Sequence, residues 1–156
     1  MFSLELRYTG FPPSKRDYNN AVKEVLAETA LRWHERFFED HFTEAGAAKY
    51  GYLKRKGENQ RGQKSFKNSY VARKISKLGS NRPLYFSGEA YRESKVPNVR
   101  STSKESRVIL SRIFNWKHKK SQIQMRDEVT RVLPAEQAEL IEYTGRRLDQ
   151  KIAAFK

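Results

Sequence analysis

The chain reads as an α+β protein: a long N-terminal helix and a C-terminal helix packed on a small antiparallel sheet, with a long basic arm. Three observations predict this. Apolar residues recur at spacings of three and four between residues 22 and 37, and again between 140 and 155, the mark of helices with one buried stripe. Short segments near the N-terminus and around residues 98–110 have strand character. Between the first helix and these later segments, residues 50–82 hold 10 Lys or Arg against one acid, Glu58.

A chain of 156 residues is one domain, 1–156, into which the arm 50–82 is inserted. A chain of this length buries about 70 % of its unfolded surface, so a core is attainable. An apolar fraction of 37 % predicts a modest one beside a polar excursion. There is no cysteine, which excludes disulfides, thiolate zinc sites and a Cys nucleophile and fits a reducing compartment. No apolar run approaches the roughly 18 residues of a membrane span. The opening MFSLELRYTG lacks a basic segment followed by an apolar one. The expectation is a soluble protein, used in a cytoplasm, with no membrane partner.

The elements follow in order. Phe2, Leu4, Leu6 and Tyr8 alternate with polar residues as in a half-buried strand, ended by Thr9-Gly10 and Pro12-Pro13. Ser14 and Asp17 form a cap for a helix from about Lys15 to about His41. Its stripe is Val22, Val25, Leu26, Thr29, Ala30, Trp33 and Phe37, and the aromatic cluster Trp33, Phe37, Phe38 and Phe42 is read as core. Thr43 caps a short helix stopped by Gly51. The first part of the arm is too polar to bury much area and reads as a flexible loop. The spacing of Phe66, Tyr70, Val71, Ile75 and Leu78 gives a short basic helix over 66–78, ended by Gly79. Leu84-Tyr85-Phe86 is turned by Ser87-Gly88, and Glu89–Ser94 can form a helical turn or more. Asn98–Thr102 and Arg107–Leu110 make a hairpin. Ile123, Met125 and Val129 suggest a last strand. Pro134 and Glu136 open the final helix, whose stripe is Leu140/Ile141, Thr144, Leu148, Ile152 and Phe155.

Net charge is +14, and its distribution limits the function classes. Residues 1–49 carry 7 bases and 8 acids, and residues 125–156 carry 6 of each. Residues 83–124 carry 9 bases and 3 acids, so the excess lies in the middle of the chain. Such a field suits a polyanion or an acidic protein surface, or is a solvated loop without a partner. Phosphate-cradling, dinucleotide and hydrolase-elbow motifs are absent. A metal nuclease needs clustered acids, and residues 50–88 offer one. His34 and His41 are read as solvent-facing or capping residues, since His118 is the only other histidine and HExxH is absent. The chain therefore reads as non-enzymatic, with no catalytic residue, cofactor or metal. Tyr50, Tyr52, Phe66 and Tyr70 interleave with the bases and either stack on nucleobases or anchor the arm. The lack of a known nucleic-acid-reading motif favours anchoring.

Three blocks then stand out in order: RWHERFFEDHFTEAGAAKYGY at the end of the first helix, a Lys/Arg-rich run, and RPLYFSGEAYRES. A hairpin and an acid-capped C-terminal helix follow. This layout resembles the virion-morphogenesis family of tailed bacteriophages, which includes tail-completion and neck proteins. The residues that carry the likeness are His41, Phe42, Tyr50, Gly51 and Tyr52, then Pro83, Leu84, Ser87 and Gly88. Ala90-Tyr91 and the longer Gly57–Leu78 insertion depart from the family pattern. The resemblance implies a structural protein of the head–tail junction, a neck or tail-completion (terminator) subunit assembled in the host cytoplasm. It further implies a ring, a hexamer or alternatively a dodecamer, joining head-closure or connector proteins to tail proteins, with genome DNA in the lumen as a further partner. Candidate contacts to partner or DNA are Lys54, Arg55, Lys56, Arg61, Lys64, Lys67, Arg73, Lys74 and Lys77 in the arm, with Trp116, Lys117, Lys119 and Lys120 in a second basic loop. The alternative is a small basic nucleic-acid-binding protein that acts without a ring.

Overall fold

The first helix begins where the sequence places a cap. The Ser14 hydroxyl accepts from the Asp17 N–H at 3.1 Å and donates to the Asp17 carboxylate at 2.6 Å. This computed structural model describes residues 14–55, 58, 63–85, 87–116 and 123–155, so the Phe2–Tyr8 strand lies outside the described residues. Helix α1 spans Lys15–Phe37 and buries Val22, Val25, Leu26, Thr29, Trp33 and Phe37 of the predicted stripe, joined by Ala21 and His34, while Ala30 is half-buried. It ends one turn before the expected His41. Residues Glu39–Phe42 tighten into a 3-10 turn because Thr43 must be extended (φ −103°, ψ 155°) to cap the next helix. Thr43 serves both elements. Its N–H and hydroxyl donate to the Asp40 carbonyl at 3.1 and 2.9 Å, while its oxygen accepts from Gly46 N–H at 2.9 Å.

Helix α2 then spans Glu44–Lys49. Gly46 packs against the preceding turn so closely that a Cβ there would lie 1.8 Å from the Asp40 carbonyl oxygen, so only glycine fits. A 3-10 turn over Lys64–Asn68 leads to α3, Tyr70–Leu78, capped by the Ser69 hydroxyl and ended at Gly79 in the left-handed region (φ 69°). Helix α4 spans Glu89–Lys95. Strands β1 (Val99–Ser101) and β2 (Ser106–Val108) pair antiparallel with Val99 opposite Val108, realising the predicted hairpin in shorter form. After a 3-10 turn, Arg112–Asn115, comes α5, Met125–Val129. A strand was expected here, and the reason for the difference is arithmetic. The spacing of four between Met125 and Val129 satisfies a period of 2 as well as 3.6, and the intervening Arg126-Asp127-Glu128 has little strand propensity. Helix α6 spans Pro134–Ala153.

The architecture is α+β, with α1 as the shared element. The hairpin packs on α1, and α6 makes its principal contact along α1. The helices run antiparallel, as their cross-links show: Lys151 with Glu24, Arg147 with Glu28, and Arg32 and Arg36 with Glu139. One core cluster joins Val22, Val25 and Leu26 to Leu148 and Ile152. A second, aromatic cluster joins Trp33, Phe37, Phe38 and Phe42 to Leu84, Phe114, Val129 and Leu140. Ile141 and Phe155, expected on the inner stripe, are exposed, because the buried line along α6 runs Leu140, Thr144, Leu148, Ile152. Among the described residues no helix is long and apolar enough to cross a membrane.

Between the two clusters, Thr29 and Thr144 meet at 2.8 Å across the helix interface, both buried. Each hydroxyl also lies within hydrogen-bond distance of the carbonyl one turn back, Val25 at 2.9 Å and Leu140 at 2.6 Å. Two protons serve three contacts, so one hydroxyl bonds its carbonyl and the other bonds its partner. Replacing Thr144 alone by Val should cost about 1 kcal/mol, because Thr29 then loses its cross-helix partner. The double variant Thr29→Val, Thr144→Val should recover most of that loss. Urea unfolding of the two singles and the double checks this, and additive losses would show that the hydroxyls act independently.

Candidate functional site

The basic arm leaves the core through two tyrosines. Gly51, at φ 61°, turns the backbone between Tyr50 and Tyr52. The Arg131 guanidinium secures that turn by donating to the Tyr50 carbonyl at 2.5 Å and the Gly51 carbonyl at 3.2 Å. Tyr50 is buried, stacks on His41 with ring centroids 4.0 Å apart, and donates its hydroxyl to Glu136 at 2.7 Å. Lys49 reaches the same carboxylate at 2.7 Å, which holds the Lys49 ammonium above its ordinary range against the burial that opposes it. Glu136 also accepts the Leu133 N–H at 3.2 Å, so one carboxylate caps α6 and holds the start of the arm. The Tyr52 hydroxyl donates to the Glu128 carbonyl at 2.9 Å and faces His41 Nδ1 at 2.5 Å.

His34 and His41, expected at the surface or in a cap, are both buried. His34 bonds through Nε2 to the Ser94 carbonyl at 2.6 Å and stacks on Phe38. A neutral imidazole is an apolar ring with one donor and one acceptor, so burial with a partner is open to it. Tyr50 and Tyr52 are anchors too, the first buried and the second part-buried. Phe66 is half-buried and Tyr70 is exposed.

Two of the basic residues read as partner contacts turn inward. Arg55 makes a two-pronged pair with Glu128, at 2.9 and 2.5 Å, with side chains only 13 % and 5 % exposed. Burial opposes the Arg55 charge, and the Glu128 carboxylate outweighs it, so its pKa lies above the ordinary value. Lys74 is 2 % exposed and donates to the Arg82 carbonyl. Burial, with the Arg55 charge adding to it, pushes Lys74 down to about 8. Arg55 fixes the arm to the domain, and Lys74 ties α3 to the arm's own return at Arg82. Lys74 lies on the inner stripe of α3 with Val71 and Leu78, at spacings of three and four, and that placement was readable.

The arm returns through Pro83 and Leu84, both buried, with Leu84 itself at φ 55°. Gly88, at φ 76°, lets the backbone pass Tyr85, whose hydroxyl would lie 2.6 Å from a Cβ. Ser87 is exposed and accepts the Glu89 N–H at 3.3 Å. Tyr91 then packs edge-on to Phe42 and donates to Glu39. The blocks around His41-Phe42, Tyr50–Tyr52 and Pro83–Gly88 thus meet beside one aromatic cluster, and the basic segment spans the interval between them.

Among the candidate contacts, Lys54, Lys67, Arg73 and Lys77 are exposed. Lys56, Arg61, Lys117, Lys119 and Lys120 lie outside the described residues, as does the side chain of Lys64. Trp116 is 63 % exposed at the end of the 3-10 turn that packs on α4 and α5. A cleft of about 290 Å³ under the arm is lined by Glu44 and Glu58 together with Arg55 and Lys74. Its mixed charge fits a structural seam. No group of three or more His, Asp or Glu among the described residues is placed to hold a metal ion. Sequence reading missed Glu128 and Glu136 as buried partners; only the N3 position of Glu136 in α6 gave a signal. Compared with models of known protein families, with curated proteins and with solved structures, the chain finds no match.

Proposed function

We propose that this chain is a structural protein of the tailed-phage head–tail junction, a neck or tail-completion subunit that forms a ring and joins the head connector to the tail without catalysis. What supports the reading, beside the sequence resemblance, is that its blocks anchor both ends of the basic segment. Tyr50 and Tyr52 hold one end, and Leu84 with Lys74 holds the other. Between those ends the segment presents exposed basic residues, among them Lys54, Lys67, Arg73 and Lys77, suited to contacts with neighbours. The exposed Trp116 is the aromatic anchor type that such interfaces use. Virion location at the neck or tail follows from the same proposal. A second reading, a small nucleic-acid-binding protein acting alone, is favoured by one observation, the exposed cations of α3.

Light scattering of the purified full chain, alone and with the connector and tail proteins of its own virus, tests the proposal. The expected result is a ring of defined stoichiometry, alone or on mixing, visible by negative-stain microscopy. A monomer that ignores those proteins and binds DNA tightly would overturn it in favour of the second reading.

A further inference from the structure

We infer that the outer face of α3, carrying Lys67 from the preceding turn with Arg73 and Lys77, is a sequence-independent contact for the phosphate backbone of duplex DNA. Along the α1–α6 interface the cations are paired across the helices: Arg32 and Arg36 meet Glu139, Arg147 meets Glu28, and Lys151 meets both Glu24 and Glu28. The α3 region is built otherwise. No Asp or Glu occurs between Asn59 and Gly88, and among the described residues neither Lys67 nor Arg73 has an ion-pair partner. Arg73 and Lys77 are four apart on one helical face, an arrangement of like charges that disfavours the helix on its own account. The inner face, Val71 and Lys74, is buried, so the helix is held with its cationic side outward.

Duplex is favoured over single-stranded nucleic acid by what the face lacks. Single strands are bound by aromatic platforms between the cations. Here Tyr50 is buried, Tyr52 and Phe66 are part-buried, and of these four rings Tyr70 alone is exposed, a single ring and not a row of platforms. Two cations on the outer side of α3, with a third in the turn before it, match a contact that neutralises phosphates and releases counterions. The ring proposal determines only where the DNA lies, in a lumen; the contact itself stands on the charge and fold of α3.

The test is fluorescence anisotropy of the full chain with a duplex of mixed sequence, roughly 30 base pairs long, titrated between about 50 and 200 mM salt. The variant Lys67→Glu, Arg73→Glu, Lys77→Glu is compared with Arg92→Glu, Lys104→Glu, Arg146→Glu, which changes net charge equally at exposed sites elsewhere. The α3 variant should lose at least about ten-fold in affinity, and its slope of log K against log salt should shrink by roughly 2–3. The control should change less than about three-fold by the same salt argument. Equal losses in both variants, no binding by the unmodified chain, or preference for a single strand of the same length would overturn the inference. So would unchanged DNA binding by the α3 variant. Circular dichroism and light scattering on the same samples keep ring formation separate from DNA binding. If charge reversal disturbs either, the Gln versions of the three residues are read for the slope instead.

Discussion

Replacing Glu128 by Ala is expected to destabilise the protein by about 3–5 kcal/mol, because it leaves the Arg55 guanidinium buried without its counter-charge. The two side chains are 13 % and 5 % exposed and joined by two hydrogen bonds, so solvent screens them little. A surface pair of the same length would be worth under about 1 kcal/mol. The pair also ties the chain just beyond Tyr52 to α5, and the Arg55 guanidinium donates to the Leu53 carbonyl as well, at 2.8 Å. Loss of Glu128 should therefore release this segment locally, seen as faster tryptic cleavage after Lys54 than the global stability change explains. The double variant Arg55→Met, Glu128→Met should be more stable than Glu128→Ala, since apolar residues of similar size can replace a buried ion pair at little net cost. Urea unfolding gives the three free energies. A loss below about 1 kcal/mol for Glu128→Ala would mean that Arg55 is solvated in solution and the arm is not tethered there.

The long helices were legible because their burial has a local period. The stripe from Val22 to Phe37, the caps at Ser14 and Thr43 and the stop at Gly79 are all nearest-neighbour signals. What escaped was long-range. Glu128 is 73 residues from Arg55 and Glu136 is 86 from Tyr50, and such pairings leave no trace in the spacing of either segment. Polarity also misled. His34 and His41 look like surface residues by type, yet each enters the core by stacking on an aromatic ring and bonding one nitrogen. The arm shows the same limit from the other side. Counting charges finds the basic segment, but not that Arg55 and Lys74 spend their charge inside it while Arg73 keeps its own outside.

Acidification between about pH 6.5 and 4 is expected to remove about 3 kcal/mol of stability through His41 alone. The imidazole is fully buried, and its Nε2 has no partner. Since the Tyr52 hydroxyl spends its proton on the Glu128 carbonyl, it accepts from His41 Nδ1, which leaves Nε2 as the bare acceptor of a neutral ring. Burial pushes the group from 6.5 down to about 4, although the Glu136 and Asp40 carboxylates pull the other way and Lys49 adds to the depression. The unfolded chain therefore takes up the proton first. Stability is complete above the unfolded value, falls as pH drops below 6.5, and the loss is finished once the folded ring is also protonated near 4. Glu28, whose carboxyl is held low chiefly by its hydrogen bond to Arg147, loses its contribution only below its ordinary value of 4.5, so the upper part of the window belongs to His41. His41→Phe retains an aromatic ring on Tyr50 and leaves the Tyr52–Glu128 bond intact. Urea unfolding at pH 7.5, 6 and 5 should thus show a decline of about 2 kcal/mol by pH 5 in the unmodified chain that is absent from the variant, whatever the offset between them. Parallel curves would place the acid-sensitive group elsewhere and make the His41 ring accessible to water. A clear separation would tie the block that carries His41, Tyr50 and Tyr52 to a single dry seam, the hinge from which the arm departs.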